Sequence, residues 1–130
     1  MFVPSRSNTM FSDTLTVTIN AVPKVLTRIS QDGYSSEYLL KEITGEFRLR
    51  IRNTSYTDMK RGGVRVDRHN LELIHSIYPV SPATLTTVRK CYTVFECDSS
   101  DDLTPVKDTV VGTVAVLSAA NVTKMLNWES

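Results

Sequence analysis

The most regular pattern of polar and apolar positions in this chain runs from Glu46 to Thr54, where apolar side chains occupy every second position up to Ile51. Successive side chains of a β-strand point to opposite faces of its sheet. The pattern therefore predicts a strand with one apolar and one charged face. The apolar face would carry Phe47, Leu49 and Ile51, and the charged face Glu46, Arg48, Arg50 and Arg52.

Other segments predict strands on either side of this one. They are Thr14–Ile19, Val25–Ile29, Tyr34–Leu40, Val64–Ile77 and Val88–Cys97. The short Asn20 to Pro23 connection makes the first two a hairpin, and the polar Gln31 to Gly33 segment predicts a turn before the third. Residues 41–45 and 55–63 would be loops between antiparallel neighbours. The apolar phase of Val64–Ile77 slips, which predicts a β-bulge near residues 68–70.

The segment from Tyr78 to Thr84 contains two prolines, so it is predicted to project as a loop rather than to pair in the sheet. In the strand that follows, two sets of side chains should face opposite ways. Cys91, Thr93, Phe95 and Cys97 form one set, and Lys90, Tyr92, Val94 and Glu96 form the other. The second set resembles the arginine-bearing face in its polar character.

After the acidic segment from Asp98 to Asp102 the apolar period changes from two to about 3.6, which predicts helices. Thr104 is expected to cap a helix whose first position is Pro105. An apolar stripe on this helix comprises Val106, Val110, Val114 and Leu117, widened by Val111 and Val116. A stripe this wide exceeds what one sheet face covers and suggests a partner subunit. A second helix is expected from about Ala119 to Asn127. Strands followed by helices predict an α+β fold.

Length and composition fit a single domain. The chain has 130 residues, a formal net charge of +1, 41% hydrophobic and 22% charged residues. Near-neutral net charge argues against coating nucleic acid by bulk positive charge, so a basic surface would need charge segregated onto one face. Residues 1–12 are expected to form a flexible arm and residues 13–130 the domain. The start matches neither a signal nor a transit peptide, and no apolar run approaches the ~20 residues that span a bilayer.

The few cysteines and histidines give no sign of an active site. Cys91 and Cys97 lie about 20 Å apart on one strand, too far to pair within a chain, so buried reduced thiols or an intersubunit bridge are the alternatives. His69 and His75 would be similarly far apart on a regular strand, or on opposite faces across a bulge. We find no zinc spacing, phosphate-binding glycine loop or activated nucleophile, and expect no enzyme activity, cofactor or metal.

Three arginines at ~6.6 Å intervals on one face repel one another unless an anion neutralises them. RNA is the natural candidate, because guanidinium groups bind phosphates as two-pronged donors. The alternative is a solvated sheet face on which Glu46, Glu72 and Glu96 serve as ion-pair partners.

The order of elements and several short stretches resemble the coat proteins of single-stranded RNA bacteriophages, the leviviruses. The stretches are Ile29 to Tyr34 with Ser36 to Tyr38, then Asp67 to Glu72, and Leu126 to Glu129. The resemblance covers the chain from about Asp13 onward, whereas the segment before Asp13 departs from the compact start usual in that family.

The resemblance implies a structural capsid protein. In such coats two subunits join into an intertwined dimer with one continuous sheet, and the helices of each subunit reach over the partner. Dimers assemble into an icosahedral T=3 shell, with the sheet facing the interior. The family's dimer also binds an RNA hairpin, which represses replicase translation and marks the genome for packaging. A maturation protein would be a further partner, and the protein would be made in the bacterial host cytoplasm and end in the virion.

Three sets of residues follow from the resemblance. The RNA-binding set is Arg48, Arg50, Arg52, Arg68, Asn70, Glu72, Lys90, Tyr92 and Glu96, with Tyr92 stacking on a base. The assembly loop at the five-fold and quasi-six-fold axes is Tyr78, Pro79, Val80, Ser81, Pro82, Ala83 and Thr84. The dimer interface includes Val106, Val110, Val111, Val114 and Leu117. The alternative function is a β-sheet RNA-binding module that forms no shell; such modules usually carry more aromatics on the platform.

Overall fold

A computed structural model describes residues 11–130 of the chain, as six strands, a short 3-10 helix and two α-helices. The strands are β1 (Thr14–Ile19), β2 (Val22–Asp32), β3 (Ser35–Lys41), β4 (Gly45–Asp58), β5 (Val64–Ile77) and β6 (Thr87–Asp98). The 3-10 turn Met59–Arg61 joins β4 to β5, and α1 (Leu103–Ala115) and α2 (Ala119–Leu126) follow all the strands. This order confirms the predicted α+β fold.

The strands form one antiparallel sheet in which every strand pairs with its neighbour in sequence, in the order β1-β2-β3-β4-β5-β6. The edges of the sheet in the single chain are therefore β1 and β6. By their contacts the described residues group into two compact units. The first contains residues 11–54 and 69–94, and the second contains residues 55–68 and 95–130.

The first hairpin turns more tightly than its sequence suggested. Val22 and Pro23 lie in β2, opposite Ile19 and Thr18, so the connection is the pair Asn20-Ala21 and not the predicted four residues. Both turn residues have positive φ, 50° and 62°. Two-residue turns with positive φ at both positions have a backbone twist that matches the right-handed twist of the paired strands. Pro23 fits because the β2–β3 pairs run only from Thr27 to Asp32, so Pro23 lies beyond them on that side of β2.

The register between β3 and β4 determines which side chains meet on the charged face. Glu37 lies opposite Arg50, and Tyr38 lies opposite Leu49. Between β2 and β3 the pairing skips Ile29, a β-bulge that the sequence analysis did not predict. The bulge predicted at residues 68–70 stays a prediction. The Gly45 end of β4 lies close to β5, since a Cβ added at Gly45 would overlap the carbonyl oxygen of Ser76.

The core of the first unit is built on the apolar face of β4. Its buried side chains are Leu26, Tyr38, Phe47, Leu49 and Ile51, and Leu15, Val17, Leu40 and Leu73 pack against them. Phe47, Leu49 and Ile51 are 2%, 4% and 7% exposed, which confirms the face predicted for them. Burying a side chain of this size contributes roughly 1.5–3 kcal/mol, so this alternation orients the whole strand.

The chain just before β1 is fixed to this core by polar contacts. The Tyr38 hydroxyl donates to the carbonyl of Ser12 at 2.8 Å, and the Arg28 guanidinium donates to the carbonyls of Phe11 and Ser12. Arg28 also pairs with Asp13 at 3.0 Å. The predicted flexible arm, residues 1–12, falls outside the described residues except for Phe11 and Ser12.

His75 lies against the same core. Its ring stacks on Phe47 with centroids 4.0 Å apart, and the Lys24 ammonium, paired with Glu42 at 3.0 Å, lies 5.5 Å from the centroid of that phenyl ring. Burial lowers the pKa of His75 below its ordinary value of 6.5, and repulsion from Arg89 and Lys24 lowers it further, while Glu42 acts in the opposite direction. His75 is therefore neutral at neutral pH.

The end of β4 and the cap of α1 differ from the predictions. β4 continues to Asp58, so residues 55–58 are strand and the loop is limited to the 3-10 turn and Gly62-Gly63. The cap of α1 is Asp102 and not Thr104, because the Asp102 carboxylate accepts the Thr104 N–H at 3.1 Å. A carboxylate at this position also interacts favourably with the helix dipole. Pro105 still falls in the first turn, where its missing N–H costs nothing. α2 is capped by Ser118.

Cys91 and Cys97 are not joined by a disulfide. Cys91 is exposed, so the expectation of buried thiols is wrong for it, whereas Cys97 is half-buried. Cys91 is exposed because β6 is an edge strand and its residues 87–92 are all exposed in the single chain.

Candidate nucleic-acid interface

The predicted charged face exists, and β4 presents three arginines on it. The side chains of Arg48, Arg50 and Arg52 are 29%, 40% and 45% exposed, while the residues between them are buried. The alternation of β4 therefore places the guanidinium groups on the opposite side of the sheet from the core.

These arginines are ion-paired within the chain. Glu37 accepts from Arg48 and, at 3.3 Å, from Nε of Arg50 through the same oxygen, Oε1. Glu72 lies 3.8 Å from Arg50 Nη1 and 3.4 Å from Arg52 Nη2. We call this series, Arg48-Glu37-Arg50-Glu72-Arg52, the ion-pair row. It carries three positive and two negative charges, so its net charge is only about one unit positive.

Glu72 was expected on this face, but Glu37 was missed. The predicted ion-pair partners of this face were Glu46, Glu72 and Glu96, whereas Arg48 pairs with Glu37. The signal lay in the short β3–β4 connection: a tight hairpin closing at residues 42–45 places Glu37 directly opposite Arg50. The hydrogen bond from Arg48 is the main cause that lowers the pKa of Glu37, with Arg50 contributing, and burial opposes the shift. The same hydrogen bond raises the pKa of Arg48.

An open pocket of about 200 Å³ borders one side of the ion-pair row. Its lining is formed by Ser30, Asp32, Ser35, Ser36, Glu37, Arg50 and Arg52. Hydroxyl and guanidinium groups around an open depression can hydrogen-bond both a phosphate and the polar edge of a base. The three serines were not among the predicted site residues, because they lie around the β2–β3 turn rather than on the arginine strand.

A second polar cluster lies in the other compact unit. The Tyr56 hydroxyl donates to Glu96 Oε2 at 2.8 Å, and Arg68 Nη1 lies 3.3 Å from Glu96 Oε1. The hydrogen bond to Glu96 raises the pKa of Tyr56. Arg68 and Glu96 were predicted site residues that the structure brings together, whereas Tyr56 was missed because β4 was expected to end at Thr54. Its ring is 41% exposed and could stack on a base.

The remaining predicted residues of this interface differ in how exposed their side chains are. Tyr92 is 62% exposed and Lys90 is exposed, so both are accessible in the single chain. Asn70 is half-buried, and its Oδ1 is a buried acceptor without a hydrogen-bond partner among the described residues. The structure places Lys90 and Tyr92 on edge strand β6 and Asn70 on β5.

The predicted assembly loop is exposed throughout, from Tyr78 to Thr84. Two hydrogen bonds shape it: Tyr78 N donates to the Thr44 carbonyl at 2.9 Å, and Ala83 N donates to the Val80 carbonyl at 2.8 Å. Val80 at the loop is 78% exposed, an apolar side chain with no cover in the single chain.

Both α-helices also lack cover: neither contains a buried residue. Of the predicted dimer-interface residues, Val111, Val114 and Leu117 are 63%, 44% and 49% exposed, and Val106 and Val110 are half-buried. Exposed apolar residues continue along α2 and beyond. They are Val122, Met125, Leu126 and Trp128. Apolar surface this continuous is unusual on a monomer and typical of an interaction surface.

The part of the chain that the structure describes gives little support for metal binding, histidine chemistry or a membrane span. No group of three or more histidine, cysteine or acidic side chains there could hold a metal ion. His69 interacts with Asn53, their Nδ1 and Oδ1 atoms being 2.7 Å apart, and His75 stacks on Phe47. No single helix among residues 11–130 is long and apolar enough to cross a membrane; only α1 and α2 together, bent by 61°, reach that length and composition.

Comparison with known proteins finds similarity both to a protein family and to solved structures. A family model described as the coat protein of phage phiCb5 matches residues 12–98, well over half of the chain. Among solved structures, the virus-like particle of bacteriophage ESE058 is similar, with a TM-score of 0.63 and 17% identity over 88% of this chain and 94% of that chain. At this identity the likeness shows a shared fold. No curated protein sequence matches the chain.

Proposed function

This chain belongs to the phage phiCb5 coat protein family, and from that premise we propose that it builds a small icosahedral shell around RNA. The proposed building block is a dimer with one continuous sheet, and the proposed shell is the T=3 arrangement. The charged face would bind an RNA hairpin of the genome. The observation that carries the proposal is the uncovered apolar surface of α1 and α2.

The dimer follows from two unsatisfied features of the single chain. The first is the helical pair, where Val111, Val114, Val122 and Leu126 stay exposed at a cost of roughly 25 cal/mol for each Å² of apolar area left in water. The second is β6, which is the last strand in the order of the sheet and so lies at its edge. A second copy, paired along β6 with its helices crossing this subunit, would satisfy both. The proposed helical contacts are Val106, Val110, Val111, Val114 and Leu117.

Shell closure would use the loop from Tyr78 to Thr84. Its exposed Val80 gives an apolar contact for a neighbouring dimer, and few internal hydrogen bonds fix its shape. In a T=3 shell the same loop must fit both five-fold and quasi-six-fold surroundings, so a loop with few internal constraints is suitable.

RNA binding is proposed for the charged face because it combines forked donors with aromatic rings. The proposed contacts are Arg48, Arg50, Arg52, Arg68, Asn70, Glu72, Lys90, Tyr92 and Glu96, to which we add Tyr56 and the serine-lined pocket. Arginines would bind phosphates, while Tyr92 and Tyr56 would stack on unpaired bases. Such a complex would repress replicase translation and select the genome for packaging. We also propose a maturation protein as a partner, and synthesis in the bacterial cytoplasm.

The test is expression of the chain alone in bacteria, followed by negative-stain electron microscopy and absorbance at 260 and 280 nm on the same fraction. Uniform spherical particles tens of nanometres across that carry nucleic acid are expected. Only small RNA-binding species, under conditions that permit assembly, would favour the alternative of a sheet-based RNA-binding module without a shell. Particles without nucleic acid would support the shell and contradict the RNA interface.

A further inference from the structure

The ion-pair row is almost neutral, although it contains the three arginines proposed to bind RNA. Every guanidinium group in it already contacts a carboxylate: Arg48 contacts Glu37, Arg52 contacts Glu72, and Arg50 contacts both. A carboxylate and a phosphate compete for the same forked donors, since both are anions with paired acceptor oxygens. RNA that binds these arginines must therefore compete with carboxylates that belong to the protein.

Building on the proposed RNA interface, we propose that Glu37 is a selectivity residue, an internal competitor that excludes isolated anions and admits only a polyanion that engages several arginines together. A single phosphate gains one arginine contact and must break the bridge between Arg48 and Arg50. An RNA backbone spans neighbouring arginines at once, so several new contacts offset the loss of that one bridge.

Glu37 is better placed for this role than Glu72. One oxygen of Glu37 serves both Arg48 and Arg50, so moving this carboxylate frees Arg48 and leaves Arg50 only its longer contact with Glu72, at 3.8 Å. Its side chain is 25% exposed, against 13% for Glu72. It also borders the open pocket, where Ser30, Ser35 and Ser36 supply hydroxyl groups. A displaced Glu37 carboxylate thus has both solvent and polar partners within its reach, whereas Glu72 is more enclosed.

The size of the effect follows from Coulomb's law. One unit charge about 6 Å from a phosphate, at an effective dielectric constant of about 40, changes affinity roughly tenfold. Glu37→Gln removes that charge and keeps the side-chain shape. We therefore expect the E37Q chain to bind a short fluorescein-labelled single-stranded RNA roughly tenfold more tightly by fluorescence anisotropy. Its log–log salt slope should steepen by up to about 0.7 for each further phosphate neutralised.

Competition by inorganic phosphate measures selectivity separately from RNA affinity. Inorganic phosphate should compete with the labelled RNA for E37Q at concentrations that leave the wild-type complex unchanged. The matched control is Glu42→Gln, which alters the net charge equally but removes the partner of Lys24, beside Phe47 on the opposite side of the sheet. E42Q should bind RNA like the wild-type chain. Circular dichroism would verify that each variant folds, and if E37Q fails to fold, Glu72→Gln tests the row through Arg50 and Arg52.

Each outcome is decisive. Unchanged RNA binding by E37Q would overturn the proposal. Weaker binding would overturn it and assign Glu37 the opposite role, that of holding the arginines in position. An equal gain in E42Q would also overturn it, because bulk charge would then explain the effect. If the wild-type chain binds RNA and E37Q binds it no more tightly, only the proposed role of Glu37 is refuted, and not the proposed RNA interface. If neither chain binds RNA at low salt, the proposed interface itself is refuted.

Discussion

Val114→Asp on α1 tests the proposed dimer directly. Val114 is 44% exposed in the single chain, so an aspartate there can reach water without disturbing the fold. In the proposed dimer the same position would be covered by the partner. The substitution should therefore act on association and leave the single-chain fold intact.

The magnitude has two parts. Burying a whole valine contributes roughly 1.5–2 kcal/mol, so covering the exposed 44% contributes about 0.8 kcal/mol for each copy and about 1.6 for a two-fold dimer. Removing water from an uncompensated carboxylate adds a penalty of at least about 2 kcal/mol for each copy. The total of about 5 kcal/mol or more weakens the dimer by more than roughly a thousandfold.

The assay is size-exclusion chromatography with light scattering, and electron microscopy of the same sample for shells. Ala115→Asp is the control. Ala115 is exposed and lies about 100° further around the helix than Val114. Its substitution adds the same charge in the same last turn of α1. We expect V114D to lose dimers and shells and A115D to keep them. Dimers of V114D at wild-type concentrations would refute the placement of this helix face in the interface.

Three further predictions concern RNA binding, pH and packing. Arg50→Ala with Arg52→Ala should weaken RNA binding and flatten its salt slope with the dimer intact; unfolding would instead assign both arginines a structural role. The pKa of His75 lies below 6.5 in the folded chain, so on acidification the unfolded chain protonates this histidine first. The urea midpoint of unfolding should therefore fall as pH drops through and below 6.5, and it should fall less for His75→Phe. Gly45→Ala should lower the unfolding free energy by about 2 kcal/mol or more, because its Cβ would overlap a β5 carbonyl, whereas Gly112→Ala, with open space, should raise it by about 0.5–1 kcal/mol. Equal midpoints for the two alanine variants would contradict this packing.

Sequence alternation predicted the faces of β4 correctly because burial of Phe47, Leu49 and Ile51 outweighs every competing local preference. β1 and β5 were also predicted with the bounds that the structure gives, since β1 alternates clearly and β5 lies between the Gly62-Gly63 pair and Pro79. The Asn20-Ala21 turn was missed because alanine rarely adopts positive φ and gives no turn signal.

The candidate site was less predictable, because its charges are arranged by pairing between strands. Periodicity places Arg50 on a face, but only the β3–β4 register shows that Glu37 lies opposite it. The cap of α1 was misassigned to Thr104 because Asp102, Thr104 and Pro105 are all typical of helix starts, and only the hydrogen bond to Asp102 decides among them. Tyr56 was missed because β4 was predicted to end at Thr54, whereas the strand runs to Asp58.

The strict sequential order of the sheet has a consequence for how the chain folds. Each strand finds its partner in the segment made just before it, so the sheet can grow by successive hairpin closures with small loops. No strand has to wait for a distant one. During synthesis the exposed edge moves forward with each added strand and comes to rest on β6. Hairpin closure is intramolecular and fast, whereas any pairing along β6 must await an encounter between two chains, so its rate should depend on protein concentration.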